Sequence, residues 1–217
     1  TLDGLNTKNL KDLSDRAQKV RDTIRKGKMP KDLEEAITHE YKKLEIDHGK
    51  NLDVAVRSSA TAEDLPGASF AGEHETYLGI RGVKAVLEAT KAAMASLFTA
   101  RAISYRVDKG FDHEAISLSV GVQKMVRSDI GASGVVFTLD TETGFRDVVT
   151  ITSSWGLGEM VVQGKVTPDE FTVFKPALKE GLAGIIARDL GEKEVKMIYE
   201  GRGTKIVNVS RADRERF

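Results

Sequence analysis

At Asp53 the hydrophobic period of the chain changes, and that switch constrains the fold more than any other feature. Before it, residues 1–50 read as two charged, weakly amphipathic helical stretches broken at Lys28-Met29-Pro30. In the second stretch Leu33, Ile37, Tyr41 and Leu44 recur at three- and four-residue steps, one face of a helix, and Pro30 and Asp32 suit its start. After the switch, Leu52, Val54 and Val56 alternate with Asp53, Ala55 and Arg57, which is the period of a strand. A loop containing Gly, Ser, Ala and Pro over residues 58–72 leads to a second strand over 75–80. Gly82 then opens a helix in which Val83, Val86, Leu87, Thr90, Met94, Leu97 and Phe98 share a face, and a further helical stretch covers 100–107.

From Ala115 strands dominate. Leu118, Val120 and Val122 face one way, and Ser117, Ser119, Gly121, Gln123 and Met125 face the other. Residues 135–139 and 147–153 are expected to pair antiparallel across a turn at Thr143-Gly144, with later strands over 170–174, 194–199 and 204–209. No internal repeat interrupts this order. The expected class is α+β, a helix-rich N-terminal part followed by a mostly antiparallel sheet part. Its expected segments are a helical 1–50, a strand-loop-strand-helix 51–110 and a mainly antiparallel 111–217.

Charge and composition exclude several function classes. The 217 residues carry 33 basic and 33 acidic side chains, a formal net charge of zero, which argues against broad binding to nucleic acid or an acidic membrane. A local phosphate site is compatible with that balance. With no cysteine, disulfides, thiolate nucleophiles and Cys-ligated metal sites are ruled out. Apolar stretches fall short of a membrane span, and no signal-peptide pattern opens the chain, so the expected location is cytoplasmic. The chain starts at Thr1 rather than methionine and reads as a fragment of something longer.

Three glycine-bearing loops flank strands: Gly67-Ala68-Ser69-Phe70-Ala71-Gly72, Gly131-Ala132-Ser133-Gly134 and Trp155-Gly156-Leu157-Gly158-Glu159. Glycines let backbone N–H groups approach an anion, but neither a dinucleotide fingerprint nor a P-loop is present, and simple turn geometry is the favoured reading of each loop alone. Arg57 ends a strand beside Ser58, Ser59, Thr61, Glu63 and Asp64, and two readings stay open. Its planar guanidinium suits phosphate oxygens, or it pairs with Glu63 or Asp64 to hold the loop closed. Gln123 has the donor and acceptor needed to read an adenine edge, with Met125 able to pack on a flat ring, yet a surface glutamine is favoured on pattern alone. Glu159 suits ribose hydroxyls, or simply complements a helix N-terminus. His39, His48, His74 and His113 show no metal-ligand spacing.

Four ordered segments then add up. They are VAVRSSATAEDLPGASFAGEHETYLG from Val54, SLFTARAISYRV from Ser96, VGVQKMVRSDIGASGVVFTLDTETG from Val120 and SSWGLGEMVVQGKVTPDEF from Ser153. Together they resemble the phosphoenolpyruvate synthase family, in its pyruvate phosphate dikinase N-terminal domain, an ATP-grasp-type nucleotide-binding domain. The resemblance is dense over 53–176. It implies that Arg57, as the RSS arginine, contacts ATP phosphates and serves catalysis, with Gly72 and Thr76 of the AGxxxT turn nearby. It places Gln123, Met125 and Val126 at the adenine side and hinge, and Glu159 near the ribose. Glu73 and His74 depart from the glutamine pair more usual after the AG step.

The implied reaction turns ATP, pyruvate and water into phosphoenolpyruvate, AMP and phosphate through a phosphohistidine on a separate domain of the same chain. ATP and Mg²⁺ are the implied cofactors, and a homodimer is compatible with the family. The family's lysine-bearing glycine motif is expected before Thr1, and its metal-ligating acidic residues and second phosphate arginine after Phe217. No metal ligands are therefore expected within this chain, and the 217 residues alone are expected to be inactive in the overall reaction. Rifamycin-type antibiotic phosphotransferases and starch-directed dikinases share the module and are the alternatives. A non-catalytic nucleotide-binding module is the alternative of another class.

Overall fold

A computed structural model describes residues 1–60, 64–65, 68–69, 75–113, 115–201 and 203–217, with backbone alone at 64–65 and 68–69. The chain forms two units, Thr1–Met125 and Val126–Phe217. Helices and antiparallel strands together make an α+β protein.

The helical periods of the first unit become α1 (Leu10–Lys26) and α2 (Lys31–His48). The Asn9 side chain caps α1 by accepting from the Asp12 N–H, and Pro30 precedes α2 with Asp32 in its first turn. Past the period switch come β1 (Asp53–Ala60), a two-strand ribbon of β2 (Asp64–Leu65) and β3 (Ala68–Ser69), and β4 (Thr76–Arg81). Two helices follow, α3 (Val83–Ala95) and α4 (Ala100–Lys109), and β5 (Leu118–Lys124) ends the unit. The sheet order is β4-β1-β5, antiparallel throughout. β5, grouped with the later strands on sequence, pairs with β1 from Val54↔Lys124 to Ala60↔Leu118.

One face of this sheet is apolar. Val54, Val56, Val86, Ala89, Ala93 and Tyr41 are buried together, with Val120, Val122, Tyr77 and Ile80 packed against them. Tyr41 is 2% exposed, and its hydroxyl donates to the Leu52 carbonyl at 2.7 Å while accepting from the Gly82 N–H at 2.9 Å. It thereby ties α2 to the start of both β1 and α3. The most buried stripe of α3 holds Val86, Ala89, Thr90 and Ala93, whereas Leu87 and Met94 of the expected face are only half-buried. Alanine offers little apolar surface to a periodicity count, yet its small side chain lets the helix sit close to its neighbours.

A second buried feature lies on α4. Arg106 is 1% exposed, donates from Nε to His113 Nδ1 at 2.9 Å and stands 5.3 Å from the Phe98 ring centroid. Burial pushes its guanidinium pKa down to about 10. Burial, and then the Arg106 charge, hold the His113 imidazole below its usual value, against a weaker upward pull from Asp112. The unfolded chain therefore binds this proton more readily than the folded one, so stability is fully present above the ordinary histidine value near 6.5 and falls as pH drops through it. Thermal unfolding followed between about pH 7 and pH 5 is expected to show this loss, and His113→Gln to reduce the slope. An unchanged slope in that variant would remove His113 from the explanation.

The second unit contains β6 (Ala132–Phe137), β7 (Val148–Trp155), the short α5 (Glu159–Val162), β8 (Asp169–Phe174), α6 (Lys175–Lys179), β9 (Ile185–Asp189), β10 (Val195–Glu200), β11 (Gly203–Asn208) and α7 (Arg211–Arg214). Strands β6-β7-β8-β9 form an antiparallel sheet, and β10 and β11 a hairpin. The expected pairing of residues 135–139 with 147–153 is present as Val135↔Thr152 and its neighbours. β9 has no counterpart in the sequence reading, because every one of its residues is exposed and it alternates no apolar face. It exists as an edge strand, completing the hydrogen bonding of β8.

Candidate functional site

The face of the first sheet opposite its core carries Arg57, Thr76 and Gln123 of the residues singled out for chemistry. Cross-strand partners share a face, and Arg57 stands opposite Thr76 on β4 and opposite Gly121 on β5. Two residues back along β1, Ala55 stands opposite Gln123, a step of roughly 7 Å. Arg57, Thr76, Gly121 and Gln123 are all exposed, as are Ser59 and Ser119 at the next paired position. The structure thus gathers three of the sequence-assigned residues on one polar surface: an arginine, a hydroxyl and an amide.

This alignment depends on an irregularity in the β1–β4 ladder. The register shifts between Val54 and Val56, so that Val56 meets Tyr77 and Arg57 meets Thr76. Gly121 was not assigned a role on sequence, and its place becomes plain only from the register. A Cβ there would sit 3.9 Å from Arg57 Cγ, so the glycine leaves the arginine uncovered on that side. Met125 is half-buried and its N–H donates to the Asp53 carbonyl at 3.0 Å, which fixes the end of β5 beside the start of β1.

Some assignments fall elsewhere. Gly72 lies outside the described residues, as do Glu73, His74 and the side chains of Glu63 and Asp64 weighed as partners of Arg57. Val126, 78% exposed, begins the second unit, and Glu159 is the first residue of α5 in that unit. Glu159 accepts from the Gln163 amide at 2.8 Å, one turn along its own helix.

Within the second unit two of the three glycine loops meet. The Gly156 N–H donates to the Gly131 carbonyl at 3.0 Å, Ser133 Oγ donates to the Gly156 carbonyl at 2.7 Å, and the Leu157 N–H donates to the Met197 carbonyl at 3.0 Å. Gly156 has φ +84°, and a Cβ on it would lie 2.6 Å from the Met197 carbonyl oxygen. Close approach of β10 and a left-handed backbone both require glycine here. Leu157 and Met160 are buried against Met197, which seats the loop that presents Glu159.

Comparison with known proteins decides the family. The model of the pyruvate phosphate dikinase AMP/ATP-binding domain matches residues 1–217. The chain belongs to this family. Among curated relatives, a phosphoenolpyruvate synthase of Aquifex aeolicus is 59% identical over 220 residues, covering 100% of this chain and 26% of that protein. One of Pseudomonas aeruginosa is 53% identical, covering 100% of the chain and 28% of the relative. One of Pyrococcus furiosus is 46% identical over 91% of the chain and 24% of the relative. This dikinase-family chain therefore spans about a quarter of the length of these relatives. Among its described residues no helix is long and apolar enough to cross a membrane.

Proposed function

We propose that the chain is the ATP-binding part of a phosphoenolpyruvate synthase, an enzyme that forms phosphoenolpyruvate, AMP and phosphate from ATP, pyruvate and water. The observation that carries this reading is the shared polar face of Arg57, Thr76, Gly121 and Gln123 in a chain that matches the family from end to end. On that face Arg57 and Thr76 take the phosphates and Gln123 the adenine, with Met125 and Val126 assigned to the adenine as well. Glu159 takes the ribose, and Gly72 contributes to the phosphate turn. The fold assigned to this domain is of the ATP-grasp type. A histidine on another domain of the natural protein accepts the transferred group.

The chemistry asked of these residues is mostly positioning and charge neutralisation. A guanidinium stays protonated and offers a planar fork to phosphate oxygens as charge shifts toward the leaving AMP. Thr76 adds a hydroxyl donor at the same level of the sheet. Mg²⁺ would be held by the oxygens of the triphosphate, which a hard cation prefers, and would neutralise part of their charge. Among the described residues no three of His, Asp and Glu gather as a metal site, so no step is assigned to this chain through the metal. Cytoplasmic location and a homodimer belong to the same proposal.

The test uses the protein with its natural flanking sequence, incubated with ATP and pyruvate. Phosphoenolpyruvate, AMP and phosphate are expected in equal amounts. ATP turnover with rifamycin or a glucan as acceptor, and none with pyruvate, would replace this assignment with that of a related phosphotransferase.

A further inference from the structure

The two units divide between Met125 and Val126, inside the segment assigned to the adenine. On the first side, the Met125 N–H is bonded to Asp53. On the second side the next residue is anchored far more firmly than an exposed loop requires. Arg127 donates from Nε to Asp129 Oδ1 and from Nη2 to Oδ2, both at 2.7 Å. Its guanidinium carbon also lies 5.5 Å from the centroid of the Tyr199 ring on β10. Asp129 is 6% exposed within a single 3₁₀ turn, Ser128–Ile130, so the carboxylate is itself held in place. That turn leads into Gly131, whose carbonyl receives the Gly156 N–H of the loop presenting Glu159.

A bidentate fork fixes both position and plane, which a single ion pair does not. Residue 125 is anchored within the first unit and residue 127 within the second, and Val126 joins them in the chain. Its side chain is exposed, and its carbonyl accepts from the Ser128 N–H at 2.8 Å. We infer that Arg127, held by Asp129 and Tyr199, is a positioning residue that sets the backbone at Val126 for recognition of the purine base of the nucleotide. This rests on the adenine-side reading of Gln123, Met125 and Val126 proposed above. The effect belongs to base selection, because Arg127 is placed at the hinge and Arg57 at the phosphates.

The experiment measures KM and kcat with ATP and with GTP, and the melting temperature, for the protein with its natural flanking sequence. Its variants are Arg127→Ala, Arg127→Lys and Tyr199→Leu, with Gln123→Ala as the control on the adenine reading. Both Arg127 variants are expected to raise KM for ATP about tenfold, more than they lower kcat, and to narrow the preference for ATP over GTP. Lysine keeps the charge without the fork and is expected to restore little. Should Arg127→Ala fail to fold, Tyr199→Leu, which keeps the ion pair and removes the ring, is expected to move KM in the same direction. Unchanged KM in the Arg127 variants beside a raised KM in Gln123→Ala would overturn the inference and leave the adenine reading standing. A lower melting temperature and kcat at constant KM would reduce Arg127 to a structural role and overturn it as well. Unchanged KM in Gln123→Ala and the Arg127 variants together would remove the adenine reading, and this inference with it.

Discussion

Arg57→Ala, in the protein with its natural flanking sequence, is expected to lower ATP-dependent phosphorylation about 10²-fold or more, the order found when a charge-stabilising group is removed. The expectation follows from where the sheet puts the side chain. Arg57 points away from the core of Val54 and Val56, is exposed, and is bounded by Thr76 on one strand and the bare backbone of Gly121 on the other. No packing is lost with it, so the substitution should change stability by no more than about 0.5 kcal/mol, as for other exposed positions. Arg57→Lys keeps the charge but loses the fork, and an intermediate rate is expected. The measurement is transfer of label from ATP to the protein, with thermal unfolding as the control. Undiminished labelling in Arg57→Ala would return the arginine to the other reading, a residue that closes its own loop.

The period-two pattern was enough to place Arg57 and Gln123 on the polar side of their strands, because a strand buried on one face must alternate. Register was a different matter. Arg57 meets Thr76 only because the ladder slips between Val54 and Val56, opposite Gly79 of β4, which holds φ +67°; a lone glycine within a strand is the mark such a slip leaves, but it does not say which residues pair beyond it. The role of Tyr41 was half visible for a similar reason. Its helical spacing announces a buried side chain, but not the two backbone groups, Leu52 and Gly82, that its hydroxyl joins. β9 was invisible, since an exposed edge strand is specified by its neighbour and not by an apolar face of its own. Nothing in the sequence pattern singles out Arg127 and Asp129, two opposite charges two residues apart. What sets them apart is geometry: a two-pronged ion pair, with the ring of Tyr199, seventy residues further on, against the guanidinium.

Lys193 shows the same limit at higher energetic cost, and Lys193→Met is expected to destabilise the second unit by about 3–5 kcal/mol. Lys193 is 1% exposed and Asp169 is 4% exposed. The lysine Nζ bonds to Asp169 Oδ1 and donates to the Gly191 carbonyl at 3.3 Å, and the same carboxylate oxygen accepts from the Gly191 N–H at 2.9 Å. Lys193 also holds φ +43°, a left-handed backbone that costs a non-glycine residue about 1–2 kcal/mol and persists only where its surroundings fix it. Its N–H bonds to the Thr167 carbonyl at 3.2 Å, so the loop between β9 and β10 is fastened to the Thr167-Pro168-Asp169 start of β8. Methionine fills the space but leaves Asp169 buried without its counter-charge. Lys193→Met with Asp169→Leu removes both charges and is expected to recover part of the loss, since a buried pair replaced by apolar groups is often neutral while the Gly191 N–H loses its acceptor. Trp155, the single tryptophan of these 217 residues, lies on β7 with its indole N–H bonded to the Asp213 carbonyl, and its fluorescence during denaturation of the chain reports this unit. Equal loss in the single and double variants would show that the pair acts through the loop's shape, not through its buried charges.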